Sequence, residues 1–338
     1  MSRPLNREKG KTRTLVLHSA TKLFIENGYT NTRIKDIADL SGVGYNEIFR
    51  MFKDKDNLLS QLVNLVIEHQ FEFTDEFLKD KTNDKLMNSL LDKEYDKMYI
   101  DILKEKYYLK EKANEYIKYY DDNLNSKAPD TIALINTGAY QDRYTNVKKT
   151  DTSKNNLMIN NKYYKLEDSY EPDDLVDVKN WYSYGSGVKL RKEAYNSFIN
   201  MYNSAKEQKL TLIINSAYRS YAEQEEIYND YLSRHGQDYT DKYAARPGHS
   251  EHQTGLCIDV TTYGAMGDNF DQTDEFKWLQ ENAHKYGYIL RYPKDKEYIT
   301  GYNYESWHYR YVGVEAATII HDSNITFDEY YAYYIDNV

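Results

Sequence analysis

Two histidines and an aspartate in the C-terminal part of the chain have the types and spacing of ligands for a catalytic zinc ion. His252 and Asp259 lie seven positions apart, with Gly255 and a short apolar run between them, and His308 follows in an aromatic stretch. A catalytic zinc ion takes three imidazole or carboxylate ligands from the protein and leaves one position open. We therefore expect His252 to bind from a loop, Asp259 from a buried strand and His308 from the neighbouring strand.

Glu305 and Arg219 supply the other chemistry that such a site needs. Glu305 precedes His308 by three residues, so it can lie beside the metal without binding it. A carboxylate there can take a proton from the attacking water and pass it to a leaving amine. Arg219 can bind a substrate carboxylate or a developing oxyanion with its planar fork. A histidine near an aspartate is most often a surface or core pair without a metal, but the occurrence of all these pieces together favours a hydrolytic zinc site.

The elements that must position these residues follow a mixed pattern. Helical periodicity indicates helices at 189–206, 221–231 and 274–286, and apolar runs indicate strands at 210–214, 255–261 and 307–312. Alternating stretches at 131–136 and 157–159 predict two further strands. Strands and helices do not alternate strictly, so the predicted class is α+β, with a mixed or antiparallel sheet and flanking helices.

The N-terminal segment has the pattern of a compact all-α unit. Residues 11–27 have apolar side chains at helical spacing, and Gly28 follows as a stop. We expect Thr32 to cap a second helix, a glycine-containing turn to follow at 41–44, and Asp54 to cap a fourth helix. Ile48, Phe49 and Phe52 fit a third short helix. Two short helices joined by such a turn are typical of a helix-turn-helix.

Residues 12–60 resemble the DNA-binding domain of TetR-type repressors. The resemblance is carried by the pattern A-x-x-L-F-x-x-x-G-Y-x-x-T-x-x-x-D-I-A-x-x-x-G-V at 20–43 and by F-R-M-F-K-D-K-D-N-L at 49–58. It implies contacts to the DNA backbone by Thr32, Tyr45, Lys53 and Lys55. This sequence has Glu47 where the family usually has a small hydroxyl residue, and a phenylalanine at 49 where the family usually has tyrosine.

A second resemblance covers roughly residues 130–320, which are similar to VanY-type D-Ala-D-Ala carboxypeptidases and their L,D-carboxypeptidase relatives. The shared patterns are S-x-Y-R-S…Q, R-P-G-x-S-E-H-Q-T-G-x-A-x-D and E-x-W-H. Cys257 stands where alanine is common. The resemblance implies these roles: zinc ligands His252, Asp259 and His308; general base Glu305; carboxylate clamp or oxyanion stabiliser Arg219; substrate-binding residues Ser220, Gln224 and Ser250.

The predicted organisation is a helix-turn-helix domain at 1–70, a helical linker at 71–127 and a zinc carboxypeptidase domain at 128–338. Residues 1–60 have a net charge of +4 and the remaining residues a net charge of −14, which suits a DNA-binding head on a body that does not touch nucleic acid. There is no apolar run of 18 residues and no apolar segment behind the N-terminus, so we expect no membrane segment and a cytoplasmic location. Related enzymes act outside the membrane, which conflicts with that expectation.

These features predict a zinc-dependent carboxypeptidase that removes a C-terminal D-alanine from peptidoglycan peptides or precursors, fused to a DNA-binding module. The alternative is a TetR-like regulator that uses the peptidase-like domain as a muropeptide sensor, and a third reading combines the two. The metal motif is common to D,D- and L,D-enzymes, so the preferred peptide stays open. TetR-type proteins pair through a helical C-terminal domain, and here only the linker helices are available for a homodimer.

Overall fold

The computed structural model describes residues 4–67, 101–102, 104–123, 126–263 and 267–336. The chain divides into two compact units, Met1–Asn136 and Thr137–Val338. The predicted boundaries at residues 70 and 127 stay a prediction, because residues 71–100 of the proposed linker lie outside the described residues. Within the described part of the chain, no helix is both long and apolar enough to cross a membrane.

The first unit opens with four helices in the predicted order: α1 (Pro4–Asn27), α2 (Ile34–Ser41), α3 (Tyr45–Phe52) and α4 (Lys55–Ile67). Asp54 caps α4 as predicted, since its carboxylate accepts a hydrogen bond from the Asn57 amide at 2.6 Å. One prediction is wrong. Arg33 is the N-cap of α2, because the Thr32 hydroxyl turns inward to carbonyl oxygens of α1 and its C-terminal turn. Phe49 is 53% exposed, whereas Ile48 and Phe52 are buried.

The first unit continues with a 3-10 turn at Lys110–Lys112, α5 (Ala113–Asp122) and α6 (Ala128–Thr137). The strand predicted at 131–136 is wrong, because these residues belong to α6. Every side chain from Thr131 to Asn136 is buried, so the segment lacks the polar face by which a surface helix is identified. Pro129 lies in the first turn of α6, where its missing N–H removes no helical hydrogen bond.

The second unit is built around a four-stranded sheet. Its strands are β5 (Ile213–Ser216), β6 (Cys257–Thr261), β7 (Tyr288–Leu290) and β8 (His308–Tyr311), in the order β5-β6-β8-β7 with every neighbouring pair antiparallel. Two small sheets lie before it in the chain. The strands β1 (Lys148–Lys149) and β2 (Tyr164–Lys165) pair parallel, and β3 (Leu175–Asp177) and β4 (Lys189–Arg191) pair antiparallel. The α+β prediction is confirmed.

Helices flank this sheet: α7 (Lys192–Glu207), α8 (Tyr221–His235), α9 (Gln237–Tyr243), α10 (Asp274–Asn282), α11 (Glu297–Thr300), α12 (Val314–Ser323) and α13 (Phe327–Tyr334). The three predicted helices are present with shifted ends. Residues 189–191 form β4 instead of the start of α7. Helix α8 ends four residues later than predicted. The last residues of the helix predicted at 274–286 form a 3-10 turn, Ala283–Tyr286. The strand predicted at 157–159 is wrong, because a 3-10 turn, Thr152–Leu157, reaches into it.

Alternation along β6 divides its side chains between the core and the site. Ile258 and Val260 are fully buried in the core with Leu190, Phe198 and Tyr309. Successive side chains of a strand point to opposite faces. Cys257 and Asp259 therefore lie on the other face, and that face carries the candidate site.

Candidate active site

Each predicted metal ligand is delivered by a different local structure. His252 lies in a 3-10 turn, Glu251–Thr254, which Gly255 ends with a φ of +65°. Asp259 is the central residue of β6, and His308 is the first residue of β8. A left-handed residue after the turn reverses the chain with little strain only if it is glycine. The turn can therefore lead directly into β6, and the His252 side chain lies close to Asp259 of that strand.

The carboxylate of Asp259 lies between the two histidines. Nε2 of His252 is 3.4 Å from Oδ2 of Asp259, and Nδ1 of His308 is 3.1 Å from Oδ1 of the same carboxylate. The two imidazole rings are nearly perpendicular, with centroids 5.1 Å apart. Ligands of a tetrahedral zinc ion at about 2.0–2.1 Å are separated by about 3.3 Å. The two separations measured from the Asp259 carboxylate therefore match those of ligands around a zinc ion.

A hydrogen bond fixes which nitrogen of His252 is available. Its Nδ1–H donates to the carbonyl oxygen of Ala217 at 2.6 Å, and this leaves the Nε2 lone pair directed at the Asp259 side. A carbonyl partner of this kind sets the tautomer and ring orientation of a metal-binding histidine. The backbone amide of Arg219 also donates to the His252 carbonyl oxygen at 3.2 Å, so the turn is tied at two points to the segment that follows β5.

Glu305 lies beside the ligands in the segment before β8. Its Oε2 is 3.8 Å from Nδ1 of His308, and its backbone amide donates to the Tyr292 carbonyl oxygen. Burial raises the pKa of Glu305 to about 7 from its usual 4.5; His308 opposes this rise and the charge of Asp259 adds to it. A carboxyl group with a pKa near neutrality is suited to accept and return a proton.

The other ionisable groups of the site are strongly coupled. Burial raises the pKa of Asp259, but the charges of His252 and His308 outweigh it and hold that pKa far below its usual range. Burial lowers the pKa of His252, yet Cys257 and Asp259 outweigh it and raise that pKa to about 9. Without a metal, the site therefore holds protons that a bound cation would displace.

Cys257 brings a further donor to the same place. Its sulfur lies within 4.8 Å of a nitrogen of both His252 and His308. The thiol is fully buried, whereas Asp259 lines the pocket and its side chain is 15% exposed. A catalytic metal has to meet the substrate, so a ligand that lines the pocket is better placed than a thiol buried behind it. The geometry therefore favours Asp259 over Cys257 as the third ligand.

The three predicted ligands line a pocket of about 240 Å³. Arg219 reaches into it, and its guanidinium donates to Gln224 at 2.7 Å and to the Ser216 hydroxyl at 3.2 Å. Gln224 is in turn anchored to the Ala245 carbonyl oxygen, so it orients Arg219. Ser250 also lines the pocket. The aromatic wall is formed by Tyr231, Tyr243, Tyr292, Tyr302 and Trp307.

Ser220 is the predicted substrate-binding residue that the structure does not bring to the pocket. It is the N-cap of α8, and its hydroxyl and backbone amide are both bonded to Glu223 in a capping box. Among the described pocket-lining residues Ser220 is absent. Its place in the Tyr-Arg-Ser run reflects the start of a helix that supports Arg219.

The sequence analysis missed Glu251, the residue before His252. Glu251 is buried, and it contacts Arg291 at 2.8 Å and Arg310 at 3.2 Å. Both arginines are fully buried too. Charged residues are almost never fully buried unless they are paired. The partners are distant in sequence, so only the Ser-Glu-His context pointed to Glu251.

The four predicted DNA contacts in the head differ in their surroundings. Tyr45 is 50% exposed and stacks on Phe49, and Lys53 is exposed after α3. Thr32 is buried, and the Lys55 ammonium donates to the carbonyl oxygens of Tyr29 and Thr32. Internal partners therefore argue against a phosphate contact by the side chains of Thr32 and Lys55.

Comparisons with known proteins match both parts of the chain. A family model described as D-alanyl-D-alanine carboxypeptidase matches residues 187–314, and one described as bacterial regulatory proteins, tetR family, matches residues 16–62. The chain is 40% identical over 200 residues to YodJ of Bacillus subtilis (strain 168), provisionally named a carboxypeptidase. That match covers 56% of this chain and 73% of YodJ.

Two further similarities cover nearly all of the other protein. The bifunctional D-Ala-D-Ala dipeptidase and D-Ala-D-Ala carboxypeptidase VanXYC of Enterococcus gallinarum is 33% identical over 189 residues, which is 54% of this chain and 97% of that protein. The solved structure of the LdcB LD-carboxypeptidase is 39% identical with a TM-score of 0.53. It covers 56% of this chain and 91% of the other.

Proposed function

This chain belongs to the VanY family of D-alanyl-D-alanine carboxypeptidases, and we propose that it is a zinc-dependent enzyme that removes a C-terminal D-alanine from peptidoglycan peptides or their precursors. The observation that carries the proposal is the convergence of His252, Asp259, His308 and Glu305 on one pocket. Zinc held by the first three residues would act as a Lewis acid for the scissile carbonyl and make the attacking water more acidic.

The residues of the chain have separate tasks in this reaction. Arg219, oriented by Gln224, binds the carboxylate of the terminal residue or the developing oxyanion. Glu305 takes the proton of the attacking water and passes it to the departing amine as the peptide bond breaks. The raised pKa of Glu305 brings its proton affinity close to working pH.

The test is release of free D-alanine by the full chain from a muramyl pentapeptide and from a tetrapeptide, after metal removal and with or without added zinc. We expect zinc-dependent release that falls by about 10²–10⁴-fold in Glu305→Gln, with the zinc content unchanged. Glu226→Gln, which changes an exposed carboxylate of α8, is the matched control. The preferred peptide assigns D,D- or L,D-specificity.

The match of residues 16–62 to the tetR family carries a second proposal, that the head binds duplex DNA through the exposed end of α3 around Tyr45 and Lys53. Glu47 on the same helix is exposed and would oppose phosphate binding.

If a folded, zinc-loaded chain releases no D-alanine from either peptide, the enzyme proposal fails. The muropeptide-sensing regulator would then be the better account.

A further inference from the structure

One ring nitrogen of His308 points away from the pocket into the protein. Nδ1 faces Asp259 and Glu305, whereas Nε2 is buried and has no hydrogen-bond partner among the described residues. Oε2 of Glu251 lies 3.7 Å from this nitrogen. That carboxylate oxygen also lacks a hydrogen-bond partner within the described part of the chain. A buried donor and a buried acceptor left unpaired are costly, and these two face each other.

We infer that Glu251 is a positioning residue for the metal centre: its Oε2 accepts the Nε2–H of His308 and leaves the Nδ1 lone pair directed at the metal. The inference rests on the metal site proposed above and assigns Glu251 a role in it. A neutral imidazole has one N–H and one lone pair, so the partner of one nitrogen decides what the other can bind. A carboxylate at this place also increases the basicity of the ligand.

The orientation of Glu251 is set by its other oxygen. Oε1 accepts from Nε of Arg291 at 2.8 Å and lies 3.2 Å from Nη1 of Arg310. With Oε1 occupied by two guanidinium groups, Oε2 is the atom left for His308. Both arginines and the glutamate side chain are fully buried, so neighbouring side chains rather than bulk solvent set the direction of the carboxylate.

Arg291 is in turn fixed by the C-terminal helix α13. Its Nη1 and Nη2 contact the carboxylate of Asp328 at 2.5 and 3.3 Å, and Asn161 donates to the same carboxylate at 2.7 Å. The two arginines balance the charges of Glu251 and Asp328, so the buried group is neutral as a whole. This balance explains how four charges can be buried behind a metal site.

The two histidine ligands are therefore supported differently. His252 donates to a neutral carbonyl oxygen, that of Ala217, whereas His308 faces a carboxylate. The carboxylate is held by a network that reaches from the turn before β6 to α13. The inference predicts that metal affinity depends on Glu251, although Glu251 does not bind the metal.

The test compares zinc affinity, measured by competition with a chromogenic chelator, for the full wild-type chain, Glu251→Asp, Glu251→Gln and Glu329→Asp. Glu329 is the matched control, because it is a buried carboxylate of the same helix as Asp328 whose described contacts are with Lys296 and Thr326 and not with the predicted ligands. We expect both Glu251 variants to bind zinc about 10–100-fold more weakly, and the control to bind like wild type. Glu251→Asp keeps the charge that neutralises the arginines, so it decides the matter if Glu251→Gln fails to fold.

A second readout separates positioning from stability. ¹⁵N NMR of the imidazoles should show a protected Nε2–H on His308 in the zinc-loaded wild type, and Glu251→Asp should lose or shift it. Folded Glu251→Asp with wild-type zinc affinity and an unchanged His308 signal would overturn the inference alone. A wild-type chain that binds no zinc would overturn the proposed function and this inference together.

Discussion

Asp259 and His308 lie directly opposite each other on neighbouring antiparallel strands, and Oδ1 of the aspartate is 3.1 Å from Nδ1 of the histidine. Opposed residues of such a pair hold their Cβ atoms about 4.5–5.5 Å apart, so the spacing of these two donors is set by the register of the sheet. His252 comes from a turn that is tied down by Ala217 and Arg219. A site with two donors on a sheet and a third on a tethered turn is largely formed before any ligand arrives.

The first prediction separates the two candidates for the third ligand. Asp259→Ala should weaken zinc binding by at least about 100-fold, more than the loss of an outer partner does, and Cys257→Ala should change it by less than about threefold. The reason is that Asp259 lines the pocket with short contacts to both histidines, whereas Cys257 is sealed in the interior. Chelator competition measures both affinities.

Cobalt substitution provides an independent check of this ligand set. A cysteine ligand would give a sulfur-to-cobalt charge-transfer band in the near ultraviolet, and we expect the wild type to show none. A strong band that disappears in Cys257→Ala would show that the thiol binds the metal.

The second prediction concerns the cost of the raised pKa of Glu305. Between pH 4.5 and 7 the native metal-free chain keeps a proton that the unfolded chain has lost. Native stability therefore falls as pH rises through this window and levels off above it. Glu305→Gln removes this loss, so at pH 8 the variant should be more stable than wild type by about 3–4 kcal/mol, from 1.36 kcal/mol per pKa unit. At pH 4 the two should be equal.

Urea unfolding followed by tryptophan fluorescence measures this difference for the second compact unit, which contains Glu305. The three tryptophans of the chain, Trp181, Trp278 and Trp307, all lie within residues 137–338. The same pH dependence in both proteins would show that Glu305 titrates normally.

The residues that carry the chemistry were easier to predict than the elements that hold them. His252, Asp259 and His308 have unusual types at informative spacings, and the structure brings them to one pocket. The strand predicted at 131–136 became α6, because a helix buried on all sides has no polar face to identify it.

The buried charge network behind the site could not be predicted from local pattern. Glu251, Arg291, Arg310 and Asp328 come from a turn, two strand regions and a helix that are far apart in sequence. Each resembles an ordinary exposed charge until the fold brings it to its partners. The direction of side chains in the N-terminal helical domain could not be predicted either. Thr32 and Lys55 have internal hydrogen-bond partners that their spacing in the sequence does not reveal.

The third prediction contrasts two lysines of the head. Lys55→Ala should destabilise the head by about 1–3 kcal/mol, because its ammonium satisfies two backbone carbonyl groups and lies 4.0 Å from the centre of the Tyr29 ring. Lys53→Ala should leave stability nearly unchanged, since that side chain is exposed. Thermal unfolding of the full chain by far-ultraviolet circular dichroism measures both.

If the head binds DNA, Lys53→Ala should also lower affinity for a generic duplex and reduce the slope of log affinity against log salt by about 0.9, the value for one phosphate contact. Fluorescence anisotropy at several salt concentrations measures this slope. A wild-type chain that does not bind duplex even at low salt would rule out the DNA proposal.

The last prediction tests whether the turn after His252 requires glycine. Gly255 has a φ of +65°, and a Cβ there would lie 2.9 Å from Leu175 and 3.0 Å from Arg191. Gly42 has nearly the same backbone, with a φ of +68°, but a Cβ there would meet nothing within 4 Å. Both alanine substitutions carry the left-handed penalty of about 1–2 kcal/mol, and Gly255→Ala adds an overlap cost of about 1–3 kcal/mol.

Because the amide of Gly255 also donates to the His252 carbonyl oxygen, Gly255→Ala should weaken zinc binding as well, whereas Gly42→Ala should not. Tryptophan fluorescence for Gly255→Ala, circular dichroism for Gly42→Ala and chelator competition for both give the measurements. Equal destabilisation with equal zinc affinity would mean that the turn tolerates a side chain and that the bonds to Ala217 and Arg219 are enough to position His252.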